Sequence, residues 1–517
     1  MTTLPDHAES EQHGEGLLVD HVRALATDVG WEAAADDILR HWDGYAAARP
    51  SELLAALKAL PSEVLVNNAG LLVAANYLQH VALGGQPDRF EHDQRLAIIR
   101  GSAAGPLREQ LILLTGTSAA ARTAGNFTEA RDAAAEARRR VDAALADPAA
   151  AAELEAIRGN LPHLYLQWGR SLELADGAGT VYEYEEAHRI ALQTNQPQVA
   201  RRAVGHLAWH QIISGRSRQA AHWLEQATAT GAVNPRYDAV NHLAAALILL
   251  EQQDHDGAGR ELARMRAFPV GEYWAAAVWV RALHATTAAD AVLAENELLE
   301  QLERQPPALA GGSNGRLLRA AQLHLGFSGR LGSDTSGTVS AALLDAAAAY
   351  QRGDYHEALE ESDSPARAGV PPRIRGYALV IAAASALALQ RRATAYAYFE
   401  QAYAILHHEG LTTPYTGIAA EHLDELARAT IGTRIQVKRG PRALPSSAVL
   451  GSLTKREREV LALLATPASF AAIAAELFIS ANTIKSTTQR LYRKLGISSR
   501  RAAADIAHRA GLVRPQR

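Results

Sequence analysis

Residues 481–495 read Ala-Asn-Thr-Ile-Lys-Ser-Thr-Thr-Gln-Arg-Leu-Tyr-Arg-Lys-Leu. Ile484, Leu491 and Leu495 fall on one face of a helix, while Lys485, Gln489, Arg490, Arg493 and Lys494 stay polar. The segment is thus predicted to be a helix with a narrow apolar stripe and a basic face that also carries amide and hydroxyl groups. A helix fits the major groove of duplex DNA, and its N-terminal side chains reach base edges there. Ser and Thr hydroxyls and basic side chains suit phosphate oxygens.

Such a helix needs others to hold it. Thr454 and Glu457 form an S/T-x-x-E capping box ahead of an apolar face of Val460, Leu461 and Leu464. Thr466-Pro467-Ala468 breaks that helix. A second starts near Ser469 and turns Ile473, Ala474 and Leu477 inward. Phe478-Ile479-Ser480 is the turn, and Ser480 can cap the third helix. Gly496 ends it. Ser498 or Ser499 opens a fourth helix, with Ala502, Ala503, Ile506 and Ala510 on one side, that runs to Ala510 and stops at Gly511.

The stretch from Leu453 to Leu512 resembles the DNA-binding domain of the LuxR/FixJ/NarL family. The match runs through Leu-Thr-x-Arg-Glu-x-Glu-Val-Leu, Ser-x-x-x-Ile-Ala-x-x-Leu-x-Ile-Ser, Thr-Ile-Lys and Lys-Leu-Gly-Ile. The resemblance implies that Lys485, Ser486 and Gln489 read bases. It puts Thr454, Ser480, Thr483, Arg490, Arg493 and Lys494 where family members touch the DNA backbone or brace the helix. It also implies that the fourth helix pairs two DNA readers, so that a homodimer or higher oligomer binds double-stranded DNA. RNA polymerase is a further candidate partner. Three positions depart from the family pattern. Thr487 stands where His is usual, Thr488 where an apolar residue is common, and Ala472 where Glu is usual.

Ahead of this domain the chain is acidic. Residues 434–517 hold 16 Lys and Arg against 4 Asp and Glu, a balance of +12, whereas residues 1–433 hold 36 against 52, a balance of −16. A basic tail behind an acidic body is the distribution expected when only the tail meets a polyanion.

Ala and Leu dominate from about Leu17 to Ala429 with helical spacing throughout. One pattern recurs there. Gly125, Gly215 and Gly353 are each followed five residues later by an alanine, Ala130, Ala220 and Ala358, that opens a second amphipathic helix. Ala258 and Ala395 occupy the corresponding place in weaker copies, 38 residues after Ala220 and 37 after Ala358. Gly permits the turn, and the small Ala lets two helices approach. A period in the thirties suits stacked TPR-like hairpins. Residues 53–65 and the helix after them also resemble the helical arm of large LuxR-type regulators related to the maltose regulator. Those carry an ATPase module, and this chain has no Gly-x-x-x-x-Gly-Lys-Ser/Thr. The segments 305–315 and 326–337 are expected to be loops.

The expected architecture is all-α: a disordered tail (1–16), a TPR-like sensor or oligomerisation domain (17–431), a linker (432–450) and a four-helix LuxR-type helix-turn-helix domain (451–517). Trp168, Trp209, His210, Trp223, Tyr273, Trp274 and Trp279 concentrate in the middle of the arm. They have two readings: helix–helix core, or a pocket for a small-molecule effector with apolar walls and a few polar groups.

Enzyme chemistry finds little support. There is no Cys, which excludes disulfides, thiolate metal sites and Cys nucleophiles. Gly-Gly-Ser-Asn-Gly (311–315) fits the nucleophile-elbow pattern, but Pro-Pro-Ala-Leu-Ala precedes it and no strand does. There is no His-Glu-x-x-His, and His407 and His408 suit a helix C-terminus. The sequence is read as a non-enzyme without cofactor or metal. No apolar run reaches the roughly 18 residues of a membrane span, and residues 1–16 lack a signal-peptide pattern, so a cytoplasmic location is expected. The alternative function is a TPR-like interaction scaffold with a vestigial DNA-binding domain.

Overall fold

The computed structural model describes residues 17–40, 50–61, 64, 106–229, 238–266, 270–305, 307–326, 338–367, 369–439, 453–477, 479–495, 500, 503, 504 and 507. Among the described residues the architecture is all-α, without a strand. The helices are α1 (Leu17–Asp28), α2 (Trp31–Arg40), α3 (Pro50–Ala59), α4 (Leu107–Thr123), α5 (Phe127–Ala146), α6 (Pro148–Ala156), α7 (Leu161–Leu174), α8 (Thr180–Gln193), α9 (Pro197–Ser214), α10 (Ser217–Ala229), α11 (Ala239–Glu251) and α12 (His255–Met265). There follow α13 (Trp274–His284), α14 (Ala288–Arg304), α15 (Gly312–Leu325), α16 (Val339–Arg352), α17 (Tyr355–Glu361), α18 (Pro372–Ala388), α19 (Arg392–Glu409), α20 (Ala420–Ile431), α21 (Lys455–Leu464), α22 (Phe470–Glu476) and α23 (Ala481–Leu495). The tail expected at 1–16 lies outside the described residues.

One turn joins many of these helices. At Gly125, Asn195, Gly215, Gln253, Gly353 and Gln390 the backbone takes a φ between +55° and +90°. The next residue donates its N–H to the carbonyl five positions back at 2.8–3.0 Å, and the positive-φ residue donates three positions back at 2.9–3.4 Å. This paired pattern satisfies the carbonyls that a helix end leaves orphaned. Five residues beyond each turn comes an alanine, at 130, 200, 220, 258, 358 and 395, and all six are fully buried. The alanine spacing read from the sequence therefore marks real helix pairs. It also marks the copy at 195–200, where Asn replaces Gly.

The chain divides into two compact units, residues 1–207 with 226–238, and 208–225 with 239–517. In the first, Val22, Ile38, Leu53 and Leu57 make a small core of α1–α3. Farther along, Trp168 and Tyr184 are buried, with the Trp168 indole N–H donating to Thr115 Oγ1 at 2.8 Å.

In the second unit a core around Trp209, Leu243, Leu247 and Val280 joins the end of α9 and α10 to α11–α15, and another around Tyr350, Ile381, Phe399 and Leu426 covers α16–α20. A buried carboxylate ties distant segments of this unit together. Glu251, its side chain wholly inaccessible, lies 2.5 Å from Arg373 Nη1. It also accepts from the Thr412 and Thr413 amides at 2.6 and 2.9 Å, and from Thr413 Oγ1 at 2.6 Å. Arg373 donates onward to the Ile212 carbonyl. Every donor around the carboxylate is thus in place, the condition under which burying a charge is tolerated. Gly215 completes this meeting point. A Cβ there would come within 2.5 Å of the Arg373 amide nitrogen, so the turn needs both the positive φ and the missing side chain.

The loop expected at 305–315 is mostly helical. Pro307–Ala310 form a 3-10 turn and α15 starts at Gly312. The Gly-rich stretch reads as a loop because its glycines are there for closeness: a Cβ on Gly315 would run into the Ala310 carbonyl oxygen. Of the second expected loop, residues 327–337 lie outside the described residues.

Candidate nucleic-acid interface

α21–α23 are positioned from their caps inward. Thr454 Oγ1 accepts from the Glu457 amide at 3.2 Å, and Glu457 Oε2 accepts from the Thr454 amide at 2.8 Å, so the capping box closes. Ser469 Oγ accepts from the Ala472 amide at 3.2 Å and starts α22. Ser480 Oγ accepts from the Thr483 amide at 3.1 Å and lies 2.8 Å from Thr483 Oγ1. Beneath the caps, Leu453, Val460, Leu461, Leu464, Ile473, Ala474, Ile484 and Leu491 form one core.

This packing decides which face of α23 meets solvent. Ile484, Thr487, Thr488 and Leu491 are buried, and Asn482, Thr483, Lys485, Ser486, Gln489 and Arg490 are exposed. Lys485, Ser486 and Gln489 thus share the open face. Ser486 Oγ donates back to the Thr483 carbonyl at 3.0 Å, leaving its lone pairs outward. Arg490 sits beside the capping box, its Nε 3.8 Å from Glu457 Oε1, so one residue braces α23 against the start of α21. Arg493 and Lys494 belong to α23, but their side chains lie outside the described residues.

Two features were not visible in the sequence. Arg500 donates to the carbonyls of Leu464 at 3.1 Å and Thr466 at 2.8 Å and also to that of Ala468, closing the break between α21 and α22. The orphaned carbonyls at a helix end demand some donor, yet nothing in the local pattern selects Arg500. The second concerns Thr488, where the family usually carries an apolar residue. Its Oγ1 is buried without a hydrogen-bond partner. Of the expected fourth helix, residues 503, 504 and 507 are helical, and Ala503 and Ala507 face the domain core. Ala503, read from the sequence as part of a pairing face, packs inward.

The aromatic residues of the arm divide between the two units. Trp168 lies in the first unit. In the second, Trp209, Trp274 and Trp279 are core residues, with Trp223 and Tyr273 packed against them. Trp209 meets Tyr273 edge-on at 6.2 Å. Burial pushes the His210 imidazole down to a pKa of about 4, so it is neutral at physiological pH. Among the described residues no group of three His, Asp or Glu is placed to hold a metal ion.

Three capped helices, the third with an exposed polar face, define a helix-turn-helix domain. Residues 451–507 match the family described as bacterial regulatory proteins, luxR family, and this segment is a LuxR-family helix-turn-helix domain. A probable transcriptional regulatory protein NarL of Mycobacterium tuberculosis is 49% identical over 72 residues, covering 14% of this chain and 32% of that protein. The transcriptional regulatory protein LiaR of Bacillus subtilis is 43% identical over 74 residues, 14% of this chain and 33% of its own. The chain thus spans about a third of the length of these curated relatives. No solved structure matches it significantly. Among the described residues no helix is long and apolar enough to cross a membrane.

Proposed function

We propose that this protein is a DNA-binding transcription regulator in which the helical-repeat arm receives a signal and the helix-turn-helix domain acts on operator DNA. The observation that carries this reading is the exposed face of α23, where Lys485, Ser486 and Gln489 stand together on a domain of the LuxR family. Lys and Gln are side chains that pair with G and A edges in the major groove. The balance of +12 over residues 434–517 supplies attraction to phosphate. The six repeated turns support a TPR-like arm, whose helix pairs would present a surface for a small molecule or protein. A dimer on a two-fold operator follows from the family resemblance, and so does RNA polymerase as a partner. The protein is read as a non-enzyme of the cytoplasm.

A shift assay on genomic fragments tests this directly. The full chain binds a subset of fragments, with an affinity that falls steeply as salt rises, and a chain ending at residue 450 binds none. Equal behaviour of the two chains overturns the reading and favours a scaffold with a vestigial DNA-binding domain.

A further inference from the structure

A cavity of about 150 Å³ lies in the second unit, between α13, α15, α16, α18 and the 3-10 turn Thr413–Gly417. Its walls are mostly apolar, with Trp279, Leu344 and Ile374 among them. An apolar cavity of roughly this size holds a single benzene-sized molecule.

Two half-buried polar groups stand on the walls. They are the imidazole of His324 and the hydroxyl of Tyr377. Standing half-buried on one cavity wall, both can hydrogen-bond an occupant. Burial holds His324 down to about 4 and Tyr377 up to about 12, so both are neutral donors or acceptors near pH 7.

The wall also carries two guanidinium groups, and their charges are not equally balanced. Arg373 is matched by Glu251 at 2.5 Å. Among the described residues Arg439 donates to backbone carbonyls, those of Tyr415 at 3.0 Å, Thr416 at 3.4 Å and Ile418. Among the described residues no carboxylate lies at contact distance from Arg439, so the cavity carries one positive charge that they do not answer.

We propose that this cavity is the effector site of the arm, and that it takes a small organic carboxylate with an apolar body of about one ring, which in turn alters DNA binding by the tail. The proposal rests on the regulator reading above and deepens it. The carboxylate would sit toward Arg439 and accept from Tyr377, with the ring against Trp279 and Leu344. The route to the tail is covalent and short. Arg439 pins the chain just before residue 440 to the turn that forms one wall, and the neighbouring Lys438 amide donates to Gln253 Oε1 at 2.7 Å. An occupant that draws on Arg439 competes with, or reinforces, the contacts that anchor the start of the linker. The Trp cluster singled out by the sequence contributes one wall residue, Trp279.

The test is calorimetric titration of the full chain with monocyclic and short branched carboxylates (benzoate, phenylacetate, isovalerate) and their amides, each at about 10 mM, beyond the ~1 mM affinity of a weak fragment. At least one carboxylate binds, and its amide binds at least about tenfold more weakly because the charge-assisted contact is lost. Tyr377→Phe, which removes only a hydroxyl, weakens the carboxylate about tenfold. Ala320→Phe, which fills the cavity, abolishes binding; if that variant fails to melt cooperatively, Tyr377→Phe decides. Absence of binding by every carboxylate, equal binding of acid and amide, or no effect of Tyr377→Phe overturns the site. Operator affinity is measured separately. A carboxylate that binds but leaves operator affinity unchanged overturns the link to the tail. A chain that binds no DNA overturns the regulator reading and leaves the calorimetric result standing.

Discussion

Lys485, Gln489 and Arg490 are close neighbours on α23 but do different work. Lys485 and Gln489 are exposed and face outward, while Arg490 also leans on Glu457. Lys485→Ala or Gln489→Ala is expected to relax sequence preference, at roughly 1–3 kcal/mol per lost base contact. Arg490→Ala is expected to weaken binding to all duplexes alike. Competition binding against specific and random DNA checks this, and an equal loss in all three variants refutes the division of labour. Thr488 offers a test inside the domain core. Its hydroxyl is buried without a partner, and such a group costs free energy that an apolar group of the same shape does not. Thr488→Val is therefore expected to stabilise the domain by about 1 kcal/mol, read as a higher urea midpoint. A lower midpoint would show that the hydroxyl is satisfied in solution.

Helices and turns show which parts of the fold were legible beforehand. Where Gly stands at the turn, the sequence shows it, because only Gly takes a positive φ without cost. Asn195, Gln253 and Gln390 adopt the same geometry without that mark. At Gln253 the reason is long-range: its amide donates to Thr412 Oγ1 at 2.6 Å and accepts from the Lys438 amide, partners some 160 and 185 residues away. No local pattern can announce such a contact. The caps of α21–α23 were legible because each is closed by residues three apart. The cavity was not, since its walls come from six separate segments. Glu251 is another non-local element. Replacing it with Gln leaves Arg373 without its countercharge in a buried place, which costs about 3–5 kcal/mol. Glu251→Gln is expected to lower the stability of the second unit by that order in chemical denaturation, with helicity at low denaturant retained. A change within experimental error would mean that the amide and hydroxyl donors alone hold the segment 412–413.

At the scale of the whole molecule, the acidic body carries several histidines that are held neutral by burial. His210 and His324 are lowered to about 4, and His188, His206, His255 and His422 are lowered too, desolvation being the largest cause in each. The unfolded chain binds a proton at each near pH 6.5. Below that pH the unfolded state takes up protons that the folded state refuses, so stability falls as pH falls, until the native pKa is reached. For His210 and His324 the loss by pH 5 is on the order of 2 kcal/mol each. Glu183 runs the other way. Burial raises it to about 7 against the lowering by Arg138, so the native state gains a proton early and is favoured by acidification between about pH 7 and 4.5. Glu183 belongs to the first unit, where it offsets His188 and His206, whereas His210, His255, His324 and His422 all belong to the second. Acidification from pH 7 to pH 5 is therefore expected to destabilise the second unit more than the first. Thermal melts across that range, with hydrogen exchange to assign each unit, check the order. His210→Asn and His324→Asn should each flatten the pH dependence of the second unit while leaving that of the first unchanged. A second unit whose melting point is constant from pH 7 to pH 5 would show that these imidazoles find protons, or water, in the folded state.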